Sequence, residues 1–413
     1  MDSNGDPFLL LVGAVRAGDV ERASALFAEH PELDGRLGES MPDSFGSPVL
    51  FAAAEHSSRA LVELLLAHGA DINGRSDWWA GSFGILDGCK PDFAPYLIER
   101  GAAVDAHSAA RLGMLDCLAE LVADDPHIVH ARGGDGQTPL HFASTVDVAQ
   151  FLLANGADMN AIDVDHESTP AQWMLRDRQD VARFLVTRGC RTDILMASAL
   201  GAYELVRRHL DENPASIRTR VTAHSFPMRN ARAGGTIYTW TLGGNKSAHV
   251  VARENGHDDV LRLLMERSPD ELKLAQACLL GDDTLFETLL ARRPNLVDSL
   301  STDEHRMLVE ALWNDNRAAV RMMLAAGWPV DVRGAAGETP LHVAAWFGQA
   351  DIVRDLLGRG ARLDVRDEQY HSTPLDWARH GALNCWRRQN GSYPLTEQLL
   401  NAASRSGQSE GPA

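Results

Sequence analysis

Apolar residues recur along this chain in short stripes at helical spacing, and the stripes come in pairs. Leu9–Arg16 and Val20–Glu29 flank Gly18-Asp19, while Leu61–His68 and Ile352–Arg359 each form the second stripe of a pair. Alanine and leucine at the same spacing mark further pairs over His107–Ala123, Ile194–Asp211, Glu271–Ala291 and Asp303–Ala325. The pattern predicts an all-α chain of about twelve helix pairs between Phe8 and Ala403. Glycine closes the clearer pairs, at Gly69, Gly101, Gly156, Gly189, Gly327 and Gly360. Gly69 and Gly101 are 32 residues apart, and Gly156 to Gly189 and Gly327 to Gly360 are each 33. A fixed period of this size means units that cannot bury their apolar faces alone and therefore stack. It overrides the two or three globular domains that 413 residues would otherwise suggest.

The unit has a signature. Gly337-Glu338-Thr339-Pro340-Leu341-His342-Val343-Ala344-Ala345 runs on through Gly348, Ile352-Val353, Leu356-Leu357 and Gly360-Ala361. A second copy opens at Gly136-Gln137-Thr138-Pro139-Leu140-His141, and weaker ones stand at Ser168-Thr169-Pro170 and Ser372-Thr373-Pro374-Leu375. Proline here opens a helix at a position where its missing N–H costs nothing. The stretch resembles the ankyrin-repeat signature. The resemblance implies an ankyrin-repeat solenoid of stacked helix-turn-helix units with short β-hairpin fingers, one array over residues 8–403. It implies recognition of a protein or peptide through the concave face, by fingers and exposed first-helix positions. Such a scaffold says little by itself about function, so the departures from the repeat matter most.

Three segments depart. Gly81, Gly84 and Gly88 fall where Trp78–Arg100 should place a first helix, which weakens or shortens it. Residues 222–243 are an insertion, and Thr236-Ile237-Tyr238-Thr239-Trp240-Thr241 after Gly234-Gly235 predicts an extended hairpin arm. Residues 381–393 predict a loop between the last two helices, with Trp386-Arg387-Arg388 inside it. Residues 1–7 and the small, polar tail 404–413 are expected to be disordered.

Charge and cysteine usage narrow the partners. With 57 acidic against 39 basic residues the formal net charge is −18, which argues against nucleic acid and anionic membranes. No apolar run approaches the roughly 20 residues of a membrane span. The opening Met1-Asp2-Ser3-Asn4-Gly5 carries no basic n-region, so no signal peptide is expected. Cys89, Cys117, Cys190, Cys278 and Cys385 are isolated and odd in number, as reduced cytoplasmic thiols would be. No cofactor is expected.

Aligning the units gives candidate binding residues. Trp313 and Trp346 occupy equivalent first-helix positions in adjacent units, about 10 Å apart or less if the helices pack as neighbours. Trp377 and His380 continue the patch. Tryptophan is enriched in binding hot spots, against the plainer expectation that these rings fill gaps between helices. A second group joins Trp173 and Arg176 to Arg229, Arg232 and Trp240 of the arm; the arginines would suit an acidic peptide or an anionic small molecule.

Catalysis is left open. The alternative to a binding scaffold is an enzyme or small-molecule binder whose pocket the 222–243 arm encloses, with His249, His166, His224, Tyr238 and Lys246 as its chemical groups. His249 stands where the repeat has a buried leucine. His141, His342 and His257 lie at signature positions and are expected to be structural. Gly243-Gly244-Asn245-Lys246-Ser247 lacks the glycine before lysine that a nucleotide loop needs, leaving at most an anion site at a helix N-terminus. Asp163-Val164-Asp165-His166 and Asp367-Glu368-Gln369-Tyr370-His371 offer too few ligands per finger for metal, so they are expected to be solvated turn residues and no metal site is assigned.

Overall fold

The computed structural model describes residues 5–408 of the chain. Twelve helix pairs follow one another among them, from Pro7–Ala17 with Val20–Glu29 to Pro374–Asn384 with Tyr393–Gln408. They group into two compact units: residues up to Met196 with Thr222–Leu242, and Ala197–Val221 with residues from Gly243 onward.

Within each unit the period has a physical basis. Thr339 caps the helix Pro340–Trp346, and its N–H donates to His342 Nδ1 at 3.1 Å. His342 Nε2–H then donates to the Ser372 carbonyl of the next finger at 3.1 Å. Thr138, His141 and Ser168 repeat the arrangement at 3.1 and 3.2 Å. Both ring nitrogens are committed in the neutral form, and burial pushes His141 down to about 3. These histidines are structural, as expected, and so is His257, whose Nε2–H donates to the Ala199 carbonyl. Gly327 and Gly360 close their units at φ 92° and 86°, a region that costs other residues energy. Val343, Ala344, Ile352, Val353 and Leu356 are fully buried on the facing sides of one pair.

Four local expectations change. No strand occurs among the described residues; the isolated bridges Ser40–Pro48 and Arg220–Ser247 stand in place of hairpin fingers. The fingers are side-chain-anchored turns: Asp163 Oδ1 accepts from His166 N and Asp367 Oδ1 from Tyr370 N, each at 2.6 Å. Such bonds satisfy the backbone without a ladder. The 222–243 arm is likewise no hairpin, since Ile237 and Tyr238 turn into the core and Thr239–Gly243 forms one π-helical turn. The β-branched and aromatic composition that suggested a strand is overridden by the burial of those two side chains.

The third change is at the ends. Asp6 caps the first helix, which begins at Pro7, and the last helix takes in 404–408, held through its buried Leu400. The expected disorder of 1–4 and 409–413 lies outside the described residues. Fourth, residues 381–384 extend the helix Pro374–Asn384, shortening the predicted loop. The glycine-rich stretch does carry only a four-residue helix, Ile85–Gly88.

Candidate functional site

Three successive first helices of the second unit deliver aromatic rings to one groove. Met307–Trp313 and Pro340–Trp346 end on Trp313 and Trp346, while Pro374–Asn384 carries Trp377 and His380. Close helix approach makes this possible. A Cβ on Gly381 would stand 2.3 Å from the Trp346 carbonyl oxygen, so only glycine lets these backbones meet. The segment after the last first helix is pinned by buried Cys385, by Ser392 N to the Gly348 carbonyl at 2.8 Å and by Tyr393 Oη to the Trp346 carbonyl at 2.8 Å. Pinning sets Trp386 over the groove.

The rings form one cluster. Trp377 lies 6.1 Å from Trp313 and 6.2 Å from Trp346. Trp386 stacks on Trp313 at 6.4 Å with planes 10° apart, and lies 6.0 Å from Trp346. His380 adds a tilted contact to Trp346 at 5.6 Å. The cavity they line measures about 670 Å³, with Tyr370 and Asp376 on its rim. Trp386 is 61% exposed and Tyr370 66%, whereas Trp377 is only 8% exposed.

Carboxylates orient the rings from behind. Trp313 Nε1–H donates to Glu338 Oε1 and Trp377 Nε1–H to Asp367 Oδ2, each at 3.0 Å. Glu338 and Asp367 are buried, and hydrogen bonds hold Asp367 below the ordinary carboxylate range despite its burial. Trp346 Nε1 is buried and has no hydrogen-bond partner among the described residues. Trp313 and Trp346 are therefore half-buried rather than plainly exposed, and Trp377 is buried. They fill gaps between helices on one edge and line the groove on the other.

The catalytic candidates are divided between the two compact units. His249 and Lys246 belong to the second unit, and His166, His224 and Tyr238 to the first. His249 is fully buried, with Nε2 2.9 Å from Ser268 Oγ, and burial pushes it down to about 4. Lys246 is ion-paired to Glu254 at the other end of the helix Ala248–Glu254. Tyr238 is buried with its hydroxyl donating to Asp193 Oδ2 at 2.6 Å, and its pKa lies well above the ordinary value because of burial. His224 is exposed.

The arm lies on its own unit's finger. Glu167 Oε1 accepts from the backbone N–H groups of Arg229 and Asn230, and His166 Nδ1–H donates to the Gly235 carbonyl at 2.7 Å. Trp173 donates to Asp163 and meets His166 edge-on at 5.2 Å. Arg232 stands 4.6 Å over the Trp79 ring. Arg176 is exposed, as is Trp240 at 63%. Arg229 shares a groove of about 330 Å³ with Arg191, Glu167 and Asp193, a mixture of charges rather than a basic patch.

Two features escaped sequence reasoning. Trp386 and Tyr370 join the aromatic groove from non-periodic segments; the only signal was aromatic content in loops. Asp163, Asp165, His166 and Asp367 are buried, not solvated. Asp135 of the preceding unit joins Asp165 and His166, with ligand-capable atoms within 4.8 Å of one another, and burial raises Asp135 to about 6. Spacing within one finger could not reveal that third group.

A family model described as "Ankyrin repeats (3 copies)" matches residues 106–196 and 274–367. The "Ankyrin repeat and SAM domain-containing protein 6" of Rattus norvegicus is 26% identical over 145 residues, 34% of this chain and 16% of that protein. The "Ankyrin repeat domain-containing protein SAT10" of Stachybotrys chartarum is 23% identical over 370 residues, 81% of this chain and 17% of that protein. The chain thus spans about a sixth of the length of either relative. A crystal structure of the human ASB11 ankyrin repeat domain aligns at 19% identity over 75% of this chain and all of that one, with a TM-score of 0.27. The matched segments and the Thr-Pro-Leu-His geometry agree: residues 106–196 and 274–367 are ankyrin repeats.

Proposed function

We propose that the chain is a binding scaffold that recognises an extended peptide segment of a protein partner through the tryptophan groove of its second unit. Ankyrin repeats are in general protein–protein interaction scaffolds. The observation that carries the specific reading is the convergence of Trp313, Trp346, Trp377 and Trp386 on one open groove. Rings held by packing and by buried carboxylates lose little conformational freedom when a partner arrives. No helix among the described residues is long and apolar enough to cross a membrane. The five free thiols fit a reducing cytoplasmic compartment.

The test is selection of peptides from a random library by the full chain, followed by hydrogen exchange of the complex. Protection is expected at 345–347 and 385–391. Protection confined to the first unit would sink the reading.

A further inference from the structure

The groove's charge and its hydrogen bonding point in different directions, and together they select a ligand. Its lining contains the carboxylates Glu338 and Asp376 but neither lysine nor arginine. Asp367 stands directly behind Trp377, adding a third negative charge. A cation is therefore attracted. The buried carboxylates, however, are already engaged by the protein's own donors. Glu338 Oε1 takes Trp313 Nε1–H and Oε2 takes Ala336 N–H. Asp367 Oδ1 takes Tyr370 N–H, and Oδ2 takes Ser372 N–H and Trp377 Nε1–H.

A lysine ammonium or arginine guanidinium brings three or five donors that must be satisfied when water is stripped away. Indole faces cannot satisfy them. A quaternary ammonium has no N–H to satisfy, carries its positive charge on methyl groups and packs against ring faces by cation–π attraction. Donation of the indole N–H groups to carboxylates pushes electron density into the rings of Trp313 and Trp377, which strengthens that attraction. Trp346 supplies a further ring 6.0 Å from Trp386 and 5.6 Å from His380.

We propose that the groove receives the trimethylammonium head of a trimethylated lysine side chain on the bound partner. This rests on the groove being the partner site, and the test separates the two. The full chain is titrated with N-acetyl-trimethyl-lysine amide, N-acetyl-lysine amide, N-acetyl-arginine amide, choline and the uncharged tert-butyl analogue of trimethyl-lysine. Tryptophan fluorescence and the indole N–H resonances report binding.

The trimethyl-lysine probe is expected to bind about tenfold more tightly than the lysine, arginine and tert-butyl probes. Trp386→Ala, at an exposed ring that folding does not need, is expected to lose about tenfold, with Trp386→Phe recovering much of it. Equal binding of the tert-butyl probe overturns the cation assignment while leaving a peptide groove intact. Equal binding of lysine or arginine overturns the methyl selectivity. Choline binding more tightly than trimethyl-lysine assigns the groove to a free quaternary ammonium, and no binding by any probe also overturns the inference. The peptide-selection experiment judges the partner site independently of all these outcomes.

Discussion

Replacing His249 by leucine should stabilise the second unit, and more so in acid. Ser268 Oγ–H donates to the Leu264 carbonyl at 2.8 Å, so it accepts from His249 Nε2–H at 2.9 Å. That leaves His249 Nδ1 as a buried acceptor with no partner among the described residues. Leucine forfeits one hydrogen bond, about 1 kcal/mol, and removes an unsatisfied group whose burial costs about 1–3 kcal/mol. At pH 7.5 the change is therefore worth between zero and about 2 kcal/mol.

Acid adds a second term. Burial lowers the imidazole from 6.5 in the unfolded chain to about 4. A depressed pKa gives stability that is present above 6.5 and lost as the pH falls through about 4. At pH 5 the wild type has lost about 2 kcal/mol by this linkage, and the leucine variant has lost none of it. Urea unfolding of both proteins at pH 7.5 and pH 5 measures the difference. A variant advantage that is the same at both pH values would refute the assignment of His249 as a buried neutral imidazole.

Three further outcomes follow from the packing. Gly381→Ala, which drives a Cβ into the Trp346 carbonyl, should lower the melting temperature and increase quencher access to the groove tryptophans; unchanged fluorescence would contradict the close approach. Arg220→Met should cost about 3 kcal/mol at pH 8 by stripping Glu310 and Asp303 of a buried partner. Burial raises Glu310 to about 7, so the penalty should shrink by pH 5.5, where its carboxyl is protonated in either protein. A penalty independent of pH in thermal melts would count against that. Glu167→Ala should speed hydrogen exchange at the Arg229 and Asn230 amides by about tenfold or more, and unaltered exchange would show that the arm is held elsewhere.

The repeat was legible because its chemistry is local and periodic. Thr339, Pro340, His342 and the closing glycines act within one unit or between neighbours at a fixed interval. That ruler also placed Trp313 and Trp346 at matching helix ends, which the structure shows. It failed where partners come from outside the period. Trp386 reaches the groove because Cys385, Ser392 and Tyr393 pin an irregular segment, and nothing in the spacing encodes that. Asp135 meets Asp165 and His166 only through stacking of adjacent units. The strand-like run 236–241 misled because its β-branched and aromatic residues serve burial of the adjacent Ile237 and Tyr238 in a turn, not a sheet face. His249 departs from the repeat as noted, yet the structure makes it a core residue.

Recognition is assigned to the tryptophan groove. Trp386 and Trp240 are both exposed tryptophans, at 61% and 63%, one in the groove and one on the arm. Affinity of a library-selected peptide should fall at least about tenfold in Trp386→Ala and stay at the wild-type value in Trp240→Ala, with both variants melting as the wild type does. Loss of binding in Trp240→Ala with full affinity in Trp386→Ala would move recognition from the groove to the arm.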